Sequence, residues 1–168
     1  MKNKITEDTL VLIPAYNESN NIIEIIKDLK KYFKNFLVIN DGSNDDTEFL
    51  LNKNKISNIN HYVNLGQGAA LETGLLIFIR DTKFKYVITF DADGQHRASD
   101  AYEMLKIAKK QKLKAVIGTR FKSKTALKEI PILKRITLTL AKKYERIFYG
   151  IKLTDAHNGL RVLEKELV

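Results

Sequence analysis

Short apolar runs and helical apolar repeats alternate along the first two thirds of the chain. Largely apolar runs typical of buried strands occur at residues 10–13, 36–39, 86–90 and 115–118, with a weaker run at 59–63. Between them, apolar residues recur at intervals of three and four, which predicts helices that begin near Ile22, Thr47, Ala69 and Ala98. This alternation requires crossover connections. We therefore predict an α/β fold with a mainly parallel sheet covered by helices on both faces.

The pattern changes after Thr119. Residues 120–131 have the composition of a charged loop, residues 133–149 have the period of an amphipathic helix, and residues 152–162 mix turn and strand signals. No repeat, low-complexity tract or linker divides the chain. We therefore expect one domain over residues 1–168, with the tail added to the sheet as one wall of a site.

Composition narrows the class of protein. The 168 residues include no cysteine, which excludes disulfide scaffolds and thiolate metal sites. No apolar run reaches the roughly 18–20 residues of a membrane span. The formal net charge of +9 suits nucleic acid, anionic lipid or a phosphorylated substrate, and it also suits a plainly solubilised surface. We expect a cytoplasmic protein, peripheral to the cytoplasmic face of a membrane.

Polar residues follow the end of every predicted strand. Ligands of open parallel sheets bind at the carboxyl ends of the strands, near the point where strand order reverses. Five such ends carrying acids, amides, glycines or an arginine suggest one shared site. The five segments are residues 14–18, 40–43, 64–68, 91–96 and 119–120.

The pair Asp91 and Asp93 is the sharpest feature of these segments. Residues two apart on an extended chain point to the same side, so both carboxylates can face one cation. Hard oxygen ligands suit Mg²⁺ or Mn²⁺, and the amide of Gln95, two residues further on, is a third candidate ligand. The alternative is that these acids cap the helix that begins near Ala98.

The glycines Gly66 and Gly68 form a second candidate feature. Glycines at a helix start let backbone N–H groups approach a phosphate, although a tight turn explains the same residues. The next glycine, Gly74, comes too late for a dinucleotide fingerprint, and no P-loop Gly-Lys-Ser/Thr follows.

Several of these segments together resemble a known family. Their order and spacing are similar to those of GT-A-fold family 2 glycosyltransferases, in the branch of dolichol-phosphate mannose synthases and bacterial polyprenyl-phosphate glycosyltransferases. The resemblance implies a GT-A (Rossmann-like) fold of the nucleotide-diphospho-sugar transferase type. It rests on residues 11–18 (VLIPAYNE), 38–47 (VINDGSNDDT), 64–69 (NLGQGA), 90–96 (FDADGQH), 118–121 (GTRF) and 154–161 (TDAHNGLR).

The resemblance also implies residue roles. The residues expected to hold the base and ribose of a nucleotide sugar are Pro14, Ala15, Tyr16, Glu18 and Asp41, with Gly68 and Ala69 near the nucleotide. Those expected to bind the metal and diphosphate are Asp91, Asp93 and Gln95. On the acceptor side, Arg120 is expected to reach the phosphates or the acceptor, and Asp155 and Asn158 to line the sugar.

The expected reaction is an inverting, metal-dependent transfer of a sugar from a UDP- or GDP-sugar. The segment 120–146 carries nine basic residues against two acids and is interleaved with apolar ones, which suits a lipid phosphate at a membrane surface. Polyprenyl or dolichyl phosphate is therefore the expected acceptor. A solvated basic helix explains the same pattern. The alternative acceptor is a growing cell-surface polysaccharide, for which Asp155 is the candidate general base.

Two other classes fit less well. A nucleotidyltransferase ordinarily has a glycine-rich basic loop after the first strand, where this chain has Ala15-Tyr16-Asn17-Glu18. A nucleic-acid-binding domain is suggested by the charge alone, and the acidic strand ends argue against it, so we expect no nucleic-acid partner. Family members ordinarily continue past residue 161 with further helix and often membrane segments, so we expect a shortened catalytic domain.

Overall fold

A computed structural model of the chain describes residues 6–118 and 159–168. The strands in this part are β1 (Thr9–Ala15), β2 (Phe36–Asn40), β3 (Asn58–Asn60), β4 (Tyr86–Thr89), β5 (Ala115–Ile117) and β6 (Arg161–Glu164). The helices are α1 (Ile22–Lys30), α2 (Thr47–Lys53), α3 (Gln67–Arg80) and α4 (Ala98–Gln111), with a 3₁₀ turn at Lys165–Leu167. The predicted α/β fold is confirmed.

The six strands form one sheet in the order β3-β2-β1-β4-β6-β5. Strand β1 pairs in parallel with both β2 and β4, and β2 pairs in parallel with β3. The chain therefore builds outward from β1 in one direction and then crosses to β4 on its other side. This reversal places the topological switch point between β1 and β4, where open α/β sheets bind ligands.

The position of β1 inside the sheet, between β2 and β4, explains why its sequence is largely apolar. All seven residues of β1 are buried, because helices cover both faces of the sheet. Val11 and Ile13 belong to a core cluster that includes α1, whereas Leu10 and Leu12 pack with Phe78 of α3 in a second cluster. Alternate residues of one strand thus supply two separate cores.

Strand β3 is shorter than the apolar run at residues 59–63 predicts. The His61 N–H still donates to the Asn40 carbonyl at 2.8 Å, but the chain then leaves the sheet. Tyr62 is fully exposed and Val63 is 61% exposed, so their apolar side chains do not belong to a buried strand. The pattern indicated the strand correctly and its end incorrectly.

Strand β6 was not predicted as a member of the sheet. It lies between β4 and β5 and runs antiparallel to β4, with Thr89 opposite Arg161 and Ile88 opposite Val162. Its four residues, Arg-Val-Leu-Glu, include only one that is fully buried, Val162, so the sequence carries a weak strand signal. This strand brings Gly159 and Leu160 to the carboxyl end of β4.

The chain divides into two compact units, Met1–Val116 with Gly159–Val168, and Ile117–Asn158. Most of the second unit lies outside the described residues, including the amphipathic helix expected at 133–149 and the basic segment 120–146. The single catalytic domain therefore stays a prediction. Among the helices of residues 6–118 and 159–168, none combines the length and the apolar character of a membrane span.

Candidate functional site

A cleft of about 350 Å³ opens at the carboxyl ends of β1, β2 and β4, at the switch point of the sheet. It collects polar segments that are far apart in sequence, as expected for parallel strands. The predicted site residues that line it are Pro14, Ala15, Tyr16, Glu18, Asp41, Asp91 and Asp93. The remaining lining residues are Asn64, Gly66, Gln67, Ala70 and Ala92.

The loop after β1 is fastened to the loop after β2. Asn17 has a left-handed backbone, with φ of +55°, a conformation that asparagine tolerates better than most residues. Its N–H donates to Ser43 Oγ at 2.9 Å, and its side-chain oxygen accepts from the Asn44 N–H at 2.8 Å. These reciprocal bonds fix the direction in which Tyr16 leaves β1, and Tyr16 stands at the cleft, 41% exposed.

A second set of bonds continues this connection to the start of α2. The N–H of Glu18 donates to Thr47 Oγ1 at 2.9 Å, and the N–H of Ser19 donates to Asp45 Oδ2 at 3.0 Å. Thr47 in turn donates its hydroxyl to Asp45 Oδ1 at 2.5 Å. Burial raises the pKa of Asp45, but the bonds from Thr47 and Ser19 outweigh it and lower the pKa to about 2.

Asp45 and Thr47 therefore hold the cleft together from outside it. The sequence placed both in the segment 38–47 that carries the family resemblance, with Thr47 near the start of a helix, and assigned neither a role of its own. The sequence signal that could have identified them is the run of short polar side chains in which they lie. Such side chains favour hydrogen bonds to backbone N–H groups, here those of Glu18 and Ser19.

Asp41 is the most enclosed acid of the cleft, with a residue exposure of 2%. Its Oδ1 accepts from the Leu65 N–H at 3.0 Å, and its Oδ2 accepts from the Gly66 N–H at 2.7 Å. The His61 ring nitrogen Nδ1 lies 2.7 Å from Oδ1. Burial raises the pKa of Asp41, but the hydrogen bonds from Leu65, His61 and Gly66 outweigh this effect. The pKa of the carboxyl therefore lies below its usual value.

Asp91 and Asp93 both line the cleft, in a turn that follows β4, and Ala92 between them is 3% exposed and lines it as well. Gln67, the first residue of α3, donates its amide to Asp91 Oδ1 at 2.7 Å. His96 Nε2 lies 3.4 Å from Asp91 Oδ2. Gln67 had not been predicted as a site residue.

Gly159 packs directly against Asp91. A Cβ built on Gly159 would overlap the Asp91 carboxylate, so any larger residue there displaces the acid or the strand. The Gly159 carbonyl is itself held by the Thr89 hydroxyl, which donates to it at 2.5 Å. The segment that leads into the missed strand β6 thus contains a residue whose lack of a side chain makes room for Asp91.

The paired acids do not cap helix α4, because another acid, Asp28, binds the first N–H of that helix. Helix α4 begins at Ala98, and its N–H donates to Asp28 Oδ2, from α1, at 3.0 Å. That backbone bond is the main reason why the pKa of Asp28 lies below its usual value. Asp93 instead accepts the Gln95 N–H at 3.0 Å within its own turn. Both acids line the cleft and keep acceptor positions that none of these contacts occupies.

The donor set fits a divalent cation that also binds phosphate oxygens. Within residues 6–118 and 159–168 there is no cluster of three or more His, Cys, Asp and Glu that could enclose a metal. Mg²⁺ and Mn²⁺ are commonly bound by one or two carboxylates together with water and a substrate phosphate, and Asp91 and Asp93 offer such a pair. The roles of both residues stay predictions.

Other predicted residues lie elsewhere. Gln95 does not line the cleft, and its backbone rather than its amide contacts Asp93. Gly68 and Ala69 follow in the first turn of α3, but the lining residues of that segment are Gly66, Gln67 and Ala70. Arg120, Asp155 and Asn158 lie outside the described residues.

Comparison with known proteins decides the family. Residues 10–168 match the family described as glycosyl transferase family 2. The chain belongs to this family. It is therefore a glycosyltransferase, as the resemblance of its motifs implied.

Curated relatives of this family 2 glycosyltransferase include proteins of archaea and bacteria. An uncharacterized protein of Methanocaldococcus jannaschii is 37% identical over 98% of this chain and 68% of its own length. The UDP-N-acetylglucosamine–dolichyl-phosphate N-acetylglucosaminyltransferase of Methanococcus voltae is 28% identical, over 92% of this chain and 68% of its own. The polyprenol monophosphomannose synthase of Mycolicibacterium smegmatis is 26% identical over 97% of this chain and 64% of its own.

Among solved structures, the chain is similar to glucosyl-3-phosphoglycerate synthase from Mycobacterium tuberculosis in complex with Mn²⁺, UDP-glucose and phosphoglyceric acid. The TM-score is 0.73 at 18% identity, over 98% of this chain and 59% of that one. At this identity the likeness concerns the fold, and it confirms the GT-A architecture. The chain spans less than two thirds of the synthase.

Proposed function

We propose that this family 2 glycosyltransferase transfers a sugar, with inversion, from a UDP- or GDP-sugar to polyprenyl phosphate, using Mg²⁺ or Mn²⁺. One observation carries the proposal: four carboxylates, from Glu18, Asp41, Asp91 and Asp93, line a single cleft at the switch point, and its lining includes no lysine or arginine among the described residues. Such a cleft repels a diphosphate unless a cation accompanies it.

Different residues of the cleft would bind different parts of the nucleotide sugar. Asp41, which directly follows β2, would hold the base or ribose through an acceptor position, and the exposed side chain of Tyr16 lines the same cleft. Asp91 and Asp93 would hold the cation. Bound there, it would supply positive charge that stabilises the leaving nucleoside diphosphate.

The transfer exchanges one bond for another at the anomeric carbon. An acceptor oxygen forms the new bond from the face opposite the diphosphate, and the bond from the anomeric carbon to the diphosphate oxygen breaks. Its electron pair leaves with the nucleoside diphosphate. A phosphate acceptor is already anionic at neutral pH and requires cationic groups to position it, for which Arg120 is the candidate.

The choice of acceptor rests on the sequence and on relatives. Residues 120–146 carry nine lysines and arginines among apolar residues, a composition that suits an anionic lipid surface. Relatives named for dolichyl phosphate and polyprenol phosphate match nearly the whole chain. We accordingly propose a single catalytic domain that works at the cytoplasmic face of a membrane.

The donor and metal assignments are tested by thermal stabilisation. A ligand at 100 times its Kd adds about 2.7 kcal/mol to stability, which for a chain of this size raises Tm by roughly 5–10 °C. UDP- or GDP-sugar should raise Tm only together with Mg²⁺ or Mn²⁺, and Asp93→Ala should remove the effect. The matched control is Asp100→Ala on the exposed first turn of α4, which should respond like wild type.

Equal stabilisation of wild type and the Asp93→Ala variant would remove the metal assignment. The acceptor is tested separately, by incubating the full chain with a radiolabelled UDP- or GDP-sugar and either polyprenyl phosphate in detergent or an oligosaccharide. Label in the organic phase supports the lipid acceptor. Label on the oligosaccharide supports the polysaccharide alternative, in which Asp155→Asn should abolish transfer. Pyrophosphate release from a nucleoside triphosphate and a sugar phosphate would instead indicate a nucleotidyltransferase.

A further inference from the structure

His61 is a nearly buried histidine to which the proposed reaction assigns no role. It follows β3, and its side chain is 11% exposed. Both ring nitrogens have partners: Nδ1 lies 2.7 Å from Asp41 Oδ1, and Nε2 lies 3.0 Å from Thr73 Oγ1 on α3. Because an ionised carboxylate only accepts hydrogen bonds, Nδ1 must carry the proton that it donates to Asp41.

The partners of Asp41 leave a defined acceptor position. Each carboxylate oxygen accepts about two hydrogen bonds. Oδ1 receives two, from the Leu65 N–H and from His61, whereas Oδ2 receives one, from the Gly66 N–H. With Oδ1 occupied, the second position of Oδ2 remains for a donor group in the cleft that Asp41 lines.

His61 is the only side chain among these three partners, and the other two are backbone groups of one loop. Without His61, Oδ1 would have a free position, and the carboxylate could rotate toward the cleft with either oxygen. Thr73 limits the motion of the ring from the far side, so the position of α3 is transmitted to Asp41. The same helix begins with Gln67, which donates to Asp91.

We propose that His61 is a positioning residue of the nucleotide site, which fixes the Asp41 carboxylate so that Oδ2 alone accepts a hydrogen bond from the bound nucleotide. The inference rests on the proposed function, since it requires that a nucleotide occupies this cleft. His61 itself touches no substrate in this arrangement. Its effect on binding passes entirely through Asp41.

The test measures nucleotide affinity by titration calorimetry with UDP and GDP in the presence of Mn²⁺, using the full chain. His61→Leu removes the donor while keeping an apolar side chain, and it should weaken binding by about tenfold or more, as expected for losing a hydrogen bond to a charged group. His61→Asn retains an N–H donor near the Nδ1 position. It should bind within about threefold of wild type.

Three further variants separate positioning from folding. In an Asp41→Asn background, His61→Leu should cause no additional loss, because both changes act through the same carboxylate. The control Leu105→Val, on the buried face of α4, should lower Tm without changing Kd. Thr73→Val should weaken binding less than His61→Leu, since it loosens the ring without removing the donor.

The outcomes distinguish the two proposals. If wild type binds UDP or GDP and His61→Leu lowers Tm with Kd within twofold of wild type, His61 is structural and the inference is overturned, while the proposed function stands. An equal loss in His61→Asn and His61→Leu would also overturn it. If wild type binds neither nucleotide, the proposed function fails and the inference fails with it.

Discussion

Replacing Gly159 with alanine should weaken metal binding by Asp91 and Asp93 without a direct change to either acid. The added Cβ would overlap the Asp91 carboxylate, whereas real Cβ atoms essentially never approach other heavy atoms closer than 3.0 Å. The Gly159 backbone has little room to retreat, because its carbonyl accepts the Thr89 hydroxyl at 2.5 Å and β6 begins two residues later. Asp91 must therefore move.

The size of the effect follows from the geometry. Relieving the overlap requires a shift of roughly 1 Å, and metal sites tolerate deviations of only about 0.2 Å in ligand distance. Loss of a group that supports a metal ligand costs about 10–100-fold in metal affinity, and displacement of the ligand itself should reach the upper end of that range, about 100-fold. Nucleotide present at 100 times the wild-type Kd would then be near its Kd in the variant, and its stabilisation would fall from about 2.7 to about 0.4 kcal/mol. The fold itself should lose about 1–3 kcal/mol from overpacking.

The assay is the metal-dependent thermal shift with UDP-sugar and Mn²⁺. Gly159→Ala should lower Tm somewhat and leave a ligand-induced shift of roughly 1 °C. Gly74→Ala is the matched control, because its Cβ would meet the Leu12 side chain at 2.9 Å in the core, away from the acids. It should lower Tm and keep the full ligand shift. A full ligand shift in Gly159→Ala would refute the argument that Gly159 makes room for a metal-binding Asp91.

Three further changes have defined outcomes. Gly42→Ala should cost roughly 2–4 kcal/mol in urea denaturation, because Gly42 has φ of +66° and its Cβ would lie 2.6 Å from the Asn64 nitrogen. Asp45→Asn should destabilise the fold at pH 7. The ionised Asp45 contributes its full stability above pH 3.8 and loses it as pH falls through the folded-state pKa of about 2, so the difference from wild type should shrink over this range. Gln67→Leu should weaken Mn²⁺-dependent nucleotide binding about tenfold by removing a bond to Asp91.

Each of these has a result that counts against it. Wild-type stability in Gly42→Ala would mean that the loop after β3 can yield. A constant difference between wild type and Asp45→Asn from pH 6 to pH 2 would exclude ionisation of Asp45 as the source of its contribution. For Gln67→Leu, the control is Asn20→Leu, on the loop before α1 and outside the cleft lining. Equal affinity in the two variants would remove Gln67 from the site.

Much of the fold was predictable, because its signals are local. The run Leu10–Ile13 and the spacing of Ile22, Ile25, Ile26 and Leu29 report burial directly, and both elements formed where the pattern indicated. Strand β6 was not predictable, because a four-residue strand with one fully buried residue depends on neighbouring strands for its conformation. Its pairing with β4 joins residues more than seventy positions apart, which no window of sequence reports.

The site was predictable to the level of which segments meet. Segments 14–18, 40–43, 64–68 and 91–96 do converge, because parallel strands bring their carboxyl ends to one edge. Individual contacts were not predictable. Gly68 and Gly66 are equivalent as turn residues in sequence, yet only Gly66 lines the cleft and donates its N–H to Asp41. Gly159 has no signal of its own, since its role depends on where Asp91 points.

The polar residues of these segments differ in what they have left to offer a ligand. The acceptor oxygens of Asn17 and Asp45 are bound to backbone N–H groups of the facing loop, so they hold the cleft in shape. Asp41, Asp91 and Asp93 line the cleft and keep acceptor positions open. A group whose bonds are internal contributes to affinity only by keeping the site rigid, and its loss should lower Tm before it alters specificity. Kd and Tm measured together for one variant of each kind therefore distinguish the frame of the cleft from its binding surface.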